Sequence, residues 1–184
     1  MPFDTTTLIW LFPIAFILHD FEEIIFFEPW LKKNATTIMG RLHNRVPAFF
    51  EKQLQAIVTK STPQFALPIS LIFTLTSLAS FLAAQYAQYS IFLAAVSLFF
   101  LHGFMHLGQA IFMRRYIPAV ITSLLIVIPY GFLVLGRFLS DGLVDYPALL
   151  IYALIGLLAM IPFILVMHRL GEGIYHRLLN FLVR

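Results

Sequence analysis

The chain of 184 residues has no cysteine, so disulfides, thiolate metal ligands and cysteine nucleophiles are excluded. Charge is scarce as well. Asp, Glu, Lys and Arg make up 11% of the residues, where a soluble domain carries about a quarter. Internal repeats, inverted pairs and low-complexity tracts are also missing, which argues against repeat arrays and inverted-repeat carriers. Hydrophobic residues, by contrast, make up 60% of the chain, and the mean hydropathy is +0.89. This balance predicts an all-α integral membrane protein with one transmembrane domain over residues 1–184.

Five segments are long and apolar enough to cross roughly 30 Å of hydrocarbon, at about 7–27, 64–84, 90–112, 117–136 and 147–168. The first lacks the basic start and small-residue cleavage site of a removable signal, so it is expected to stay as a span. The long connection 28–63 carries Val46, Phe49, Phe50, Leu54, Ile57 and Val58 at helical spacing. They alternate with Glu51, Lys52, Gln53 and Lys60, which predicts an interfacial amphipathic helix between the first two spans.

Five spans would put Lys32, Lys33, Arg41, Arg45, Lys52, Lys60, Arg114, Arg115, Arg169, Arg177 and Arg184 on one side, with Arg137 alone opposite. By the positive-inside rule that side is cytoplasmic, with the N-terminus outside and the C-terminus inside. Topology thereby accounts for the basic residues, and nucleic acid is not expected as a partner. Trp10 and Trp30 read as aromatic anchors near opposite ends of the first span.

Against this background His19-Asp20-Phe21-Glu22-Glu23 stands out, because ionisable groups inside hydrocarbon are expensive and mark function by default. At about 100° per residue, His19, Glu22 and Glu23 share one side of a helix and Asp20 lies at its margin. The third span carries His102 and His106 one turn apart, with Gln109 on the same stripe. Two histidines at i and i+4 can grip one metal ion. His19 and His102 each lie 12 residues past the expected start of their span, about 18 Å deep, so the two motifs share a level.

These patterns make His19, Glu23, His102 and His106 the candidate metal ligands. Glu22, Glu23 and His168 are the candidate acid–base groups, and Gln109, Arg115, Tyr116 and Thr122 candidate pocket residues. Plainer readings stand beside these: a buried ion-pair network for the first motif, helix-to-helix hydrogen bonds for the second, an interfacial histidine for His168 and a topology signal for Arg115.

The motif residues resemble the HXXEE family of bacterial multi-pass membrane proteins, often described as candidate enzymes. His102, His106, Arg115, Tyr116, Pro118 and Thr122 are similar to that family's second polar block, where a glycine commonly follows the proline and Ala119 stands here. The resemblance implies a bacterial cytoplasmic (inner) membrane location.

The leading expectation is an intramembrane enzyme using a divalent metal, zinc favoured over iron, to hydrolyse a lipid-like substrate from the cytoplasmic leaflet. The alternatives are a metal-free acid–base isomerase or transferase acting on a lipid or isoprenoid, and a proton-coupled or metal-ion transporter.

Overall fold

The computed structural model describes residues 3–42, 47, 52, 55 and 61–183, and all regular structure among them is helical. Five long helices follow one another: α1 (Thr5–Leu42), α2 (Thr62–Tyr86), α3 (Tyr89–Met113), α4 (Val120–Ser140) and α5 (Tyr146–Leu182). Within α4 an opening turn, Val120–Thr122, passes into a π-helical stretch at Ser123–Val127 before ordinary α-helix resumes at Ile128.

Two expectations change. First, among the described residues four helices rather than five, α2 to α5, are long and apolar enough to cross a membrane. α1 falls short on composition, because His19, Asp20, Glu22 and Glu23 interrupt its apolar run and Glu28, Lys32 and Lys33 follow. Its outward face is nonetheless apolar: Trp10, Ile14, Leu18, Phe21 and Ile25 are exposed along one stripe, while His19, Asp20 and Glu22 are buried. Polar inside and apolar outside is the reverse of a soluble amphipathic helix. Second, the connection 28–63 does not leave the first helix at residue 28. Residues 28–42 continue α1, with Pro29 inside the helix. The expected interfacial helix falls on residues that lie almost wholly outside those described.

The helices close into a ring. α1 packs on α2, α2 on α5, α5 on α3, α3 on α4, and α4 back on α1. An aromatic core fills the α1–α3–α4 side: Phe12 meets Phe92 at 5.6 Å edge-on and Tyr130 at 6.0 Å stacked, and the Tyr130 hydroxyl donates to the Leu8 carbonyl at 2.9 Å. Ring pairs of this kind add roughly 0.5–1.5 kcal/mol beyond their area burial. Small residues allow close helix contacts elsewhere. A Cβ on Gly171 would sit 2.7 Å from the Pro68 backbone nitrogen, and one on Gly103 would sit 2.8 Å from Val127 Cγ1, whereas Gly108 faces open space.

One end of the ring carries Asp4, Arg137, Asp141 and Asp145. There Asp141 accepts from Thr5 at 2.6 Å and from Arg137 at 2.8 Å. The other end gathers the close of α1, the start of α2, the close of α3 and the basic residues Lys32, Lys33, Arg114 and Arg115. Glu28 ties this end together. One carboxylate oxygen accepts from Thr62 N and Oγ1, both at 2.5 Å, and the other from Lys32 at 2.6 Å. These bonds favour the ionised form and hold Glu28 down to about 2.

Two outcomes follow. Gly171→Ala should lower the thermal midpoint in detergent, at an overpacking cost of roughly 1–3 kcal/mol, because a Pro68 backbone atom cannot give way. Gly173→Ala, in open space, should be neutral or mildly stabilising. For Glu28 the depressed pKa contributes stability that is complete above its ordinary value near 4.5 and fades as pH falls toward about 2. Acid titration of Glu28→Gln by circular dichroism should therefore show a flatter loss of stability across that window than the parent protein.

Candidate metal centre

The four polar residues of the motif fan around α1. Relative to His19, Glu22 lies about −60° round the helix, Glu23 about +40° and Asp20 about +100°. The structure uses that fan. Glu22 reaches α4, His19 points between α3 and α4, and Glu23 and Asp20 line a cavity enclosed by α1, α2, α3 and α5.

Glu22 is fully engaged. One carboxylate oxygen accepts from the Tyr116 hydroxyl at 2.7 Å and from Ile121 N at 3.4 Å. The other accepts from Thr122 N at 2.8 Å and from Thr122 Oγ1 at 2.6 Å. A carboxylate from α1 thus caps the N-terminus of α4, where free N–H groups and the helix dipole both favour a negative charge. The loop between α3 and α4 makes this possible. Arg114, at φ 51°, ends α3 in the left-handed region, and Ala119, at φ 70° and fully buried, turns the chain into α4. Ala119 is where the resembling family places glycine, and the backbone conformation explains that preference.

Thr122 passes this order on to His19. Its hydroxyl proton is committed to Glu22, so at 3.0 Å it can only accept from His19 Nδ1–H. That assignment, made from the hydrogen-bond network, leaves Nε2 of His19 as a bare lone pair, and Nε2 is buried without a partner. Metal-ligating histidines are oriented in this way, by a hydrogen bond from the opposite ring nitrogen.

His102 and His106 complete the cluster. Their Nε2 atoms face each other at 2.9 Å, and the His19 ring centroid is 5.6 Å from that of His102 and 5.3 Å from that of His106. One nitrogen from each of the three lies within 4.8 Å of the others. Zinc–nitrogen bonds of about 2.0–2.1 Å in tetrahedral geometry separate ligand atoms by roughly 3.4 Å. The three imidazoles are therefore within a small side-chain adjustment of a metal site. Glu23 stands next to them, its Oε1 3.8 Å from His106 Nε2.

The remaining candidates separate. Gln109 and His168 line the same cavity, His168 with its ring 5.4 Å from that of Phe65 and outside the three-histidine group. Tyr116 and Thr122 do not line it, and act on Glu22 and His19 instead. Arg115 turns away to donate to Asn34 Oδ1 at 2.5 Å. Trp30, read as a membrane anchor, lines the cavity and donates from Nε1 to the Tyr116 carbonyl at 2.8 Å. Asp20 is the residue that spacing undervalued. It is 5% exposed, lines the cavity and has one oxygen without a partner. The clue was its place in the same fan as Glu23.

The cavity holds about 760 Å³ and is walled mainly by aliphatic and phenylalanine side chains. Fold and cluster together define a membrane-type helical bundle with a largely buried three-histidine cluster, His102 half-buried, beside an apolar chamber. The chain belongs to the HXXEE family, whose model, described as a protein of unknown function with HXXEE motif, matches residues 10–134. No curated protein and no solved structure matches it.

Thr122→Val should cost roughly 1–3 kcal/mol, since it strands the His19 N–H in the interior and removes one of the two bonds to a Glu22 oxygen, while Thr122→Ser should retain most of the stability. Ala119→Gly should be neutral to slightly stabilising. Relief of about 1–2 kcal/mol of left-handed strain is partly offset by the entropy of glycine. Thermal midpoints in one detergent check all three.

Proposed function

We propose that this protein is a metal-dependent enzyme that works within the membrane on a lipid-like substrate, most naturally by hydrolysis. The observation that carries the reading is the three-histidine cluster, with His19 Nε2 left buried, partnerless and oriented through Thr122. His19, His102 and His106 would hold the ion, with Glu23 near enough to become a fourth ligand or to remain a free carboxylate. An all-imidazole set with one carboxylate suits zinc, and iron is the second choice. Bound there, the metal would activate water and polarise the substrate.

The protein's own groups then have distinct tasks. Glu22 and Thr122 fix the orientation of His19. Glu23, beside His106 and facing the cavity, is placed to take or return a proton. The apolar walls exclude water and hold a hydrocarbon chain. Basic residues gather at one end of the bundle, which supports a cytoplasmic orientation for that end and substrate entry from the inner leaflet.

One observation favours a second reading. The Nε2–Nε2 contact between His102 and His106, with Glu23 close by, is also a proton relay. It would serve a metal-free isomerase or transferase.

Elemental analysis of gently purified protein separates the two. One equivalent of zinc or iron per chain is expected, lost in His102→Ala and His106→Ala and reduced in Glu23→Gln. Added metal should raise the thermal midpoint of the parent protein but not of His102→Ala or His106→Ala, with stabilisation near 2.7 kcal/mol at about a hundredfold excess over Kd. Absence of metal both as purified and after zinc reconstitution would overturn the metal reading in favour of the relay.

A further inference from the structure

From the level of His102 the cavity lining continues along α3 through Phe99 and Ala95 to Ile91, with Leu78 facing from α2. The eleven helical steps from His102 to Ile91 make this arm about 16 Å long, close to the roughly 15 Å of one bilayer leaflet. Thr76 is its polar exception, and its hydroxyl is already spent on the Phe73 carbonyl. The arm is therefore chemically a slot for one hydrocarbon chain.

The polar end of the cavity has the opposite character. Asp20, 95% buried with an unpartnered oxygen, and Glu23 both line it. Among the described residues no lysine or arginine does, and Arg115 is held at Asn34. A buried carboxylate oxygen without a donor is costly, so an occupant is favoured if it brings an N–H or O–H group, and disfavoured if it brings a second negative charge.

We propose that the cavity binds a single-chain amphiphile whose polar end donates hydrogen bonds and carries no negative charge. Its donor rests on Asp20 and Glu23, and its chain runs up the arm toward Ile91. This deepens the lipid-like reading above but does not depend on the metal.

The test uses full-length protein in nanodiscs, with binding of 1-hexadecanol, hexadecylamine and hexadecyl phosphate measured in the presence of a chelator and again with zinc. Hexadecanol and hexadecylamine should bind at least about tenfold more tightly than the phosphate in both conditions, about 1.4 kcal/mol. Asp20→Asn should narrow that gap to about threefold or less. In a series from octanol to octadecanol, affinity should rise and then level off near the length of the arm. Ala95→Phe should abolish the gain from the longer chains while sparing octanol. Equal or tighter binding of the phosphate by the parent protein, an unchanged gap in Asp20→Asn, or affinity without a chain-length plateau would overturn the proposal. The chain-length series on the parent protein decides even where Ala95→Phe does not fold. Because the measurement is complete under chelator, its failure is distinct from an absence of zinc by elemental analysis.

Discussion

The carboxylate of Glu22 is the constraint on which the rest of the site depends. It accepts from Tyr116, from Thr122 and from the opening backbone N–H groups of α4, so one side chain of α1 fixes where α4 starts and how the preceding loop runs. The left-handed Ala119 gives α4 its entry angle, and the π-helical stretch after Thr122 sets the register in which Val127 meets Gly103. His19 inherits its orientation from the same clamp. In an apolar interior such a network is stable only when every member is satisfied, and around Glu22 every member is. Unsatisfied atoms lie one step further on, among them His19 Nε2 and Asp20 Oδ2, with Nδ1 of His102 and of His106 beyond them.

Much of this was legible in the sequence. The 100° geometry of a helix was enough to put His19, Glu22 and Glu23 on one side of α1, and the i, i+4 spacing of His102 and His106 was enough to pair them. Counting residues from the span starts brought both motifs to one depth. The partition of work between Glu22 and Glu23 was not legible, because it depends on which neighbour lies at −60° and which at +40° round α1. Nor was the role of Thr122 and Tyr116. They are ordinary residues of a loop and a first turn until a carboxylate some hundred positions earlier is placed against them. Arg115 misled for a similar reason. A long cation near a polar site suggests substrate binding, but α1 continues past Pro29 and brings Asn34 within reach first.

The first of the five expected spans, α1, does not qualify by average composition, for an instructive reason. Average hydropathy treats a helix as featureless round its circumference, whereas this helix is apolar outward and ionisable inward. An average cannot distinguish such a helix from one of middling polarity throughout. The burial pattern can, and it assigns α1 to the bundle as the bearer of its polar interior.

The family match ends at residue 134, before α5 begins at Tyr146. Every member of the Glu22 clamp and of the histidine cluster lies inside the matched stretch. Ile155, Gly156, Ala159, Phe163 and Ile164, which form one wall of the cavity, lie outside it. The matched stretch thus carries the histidine cluster, and one wall of the cavity comes from beyond it. The wall packs extensively on α2 and α3, most closely at Gly171 against Pro68 and Gly156 against the Leu98 backbone. At those two contacts a side chain on α5 would collide with its neighbour, so α5 tolerates change at cavity-facing positions such as Ile155 and Phe163 but not where it docks.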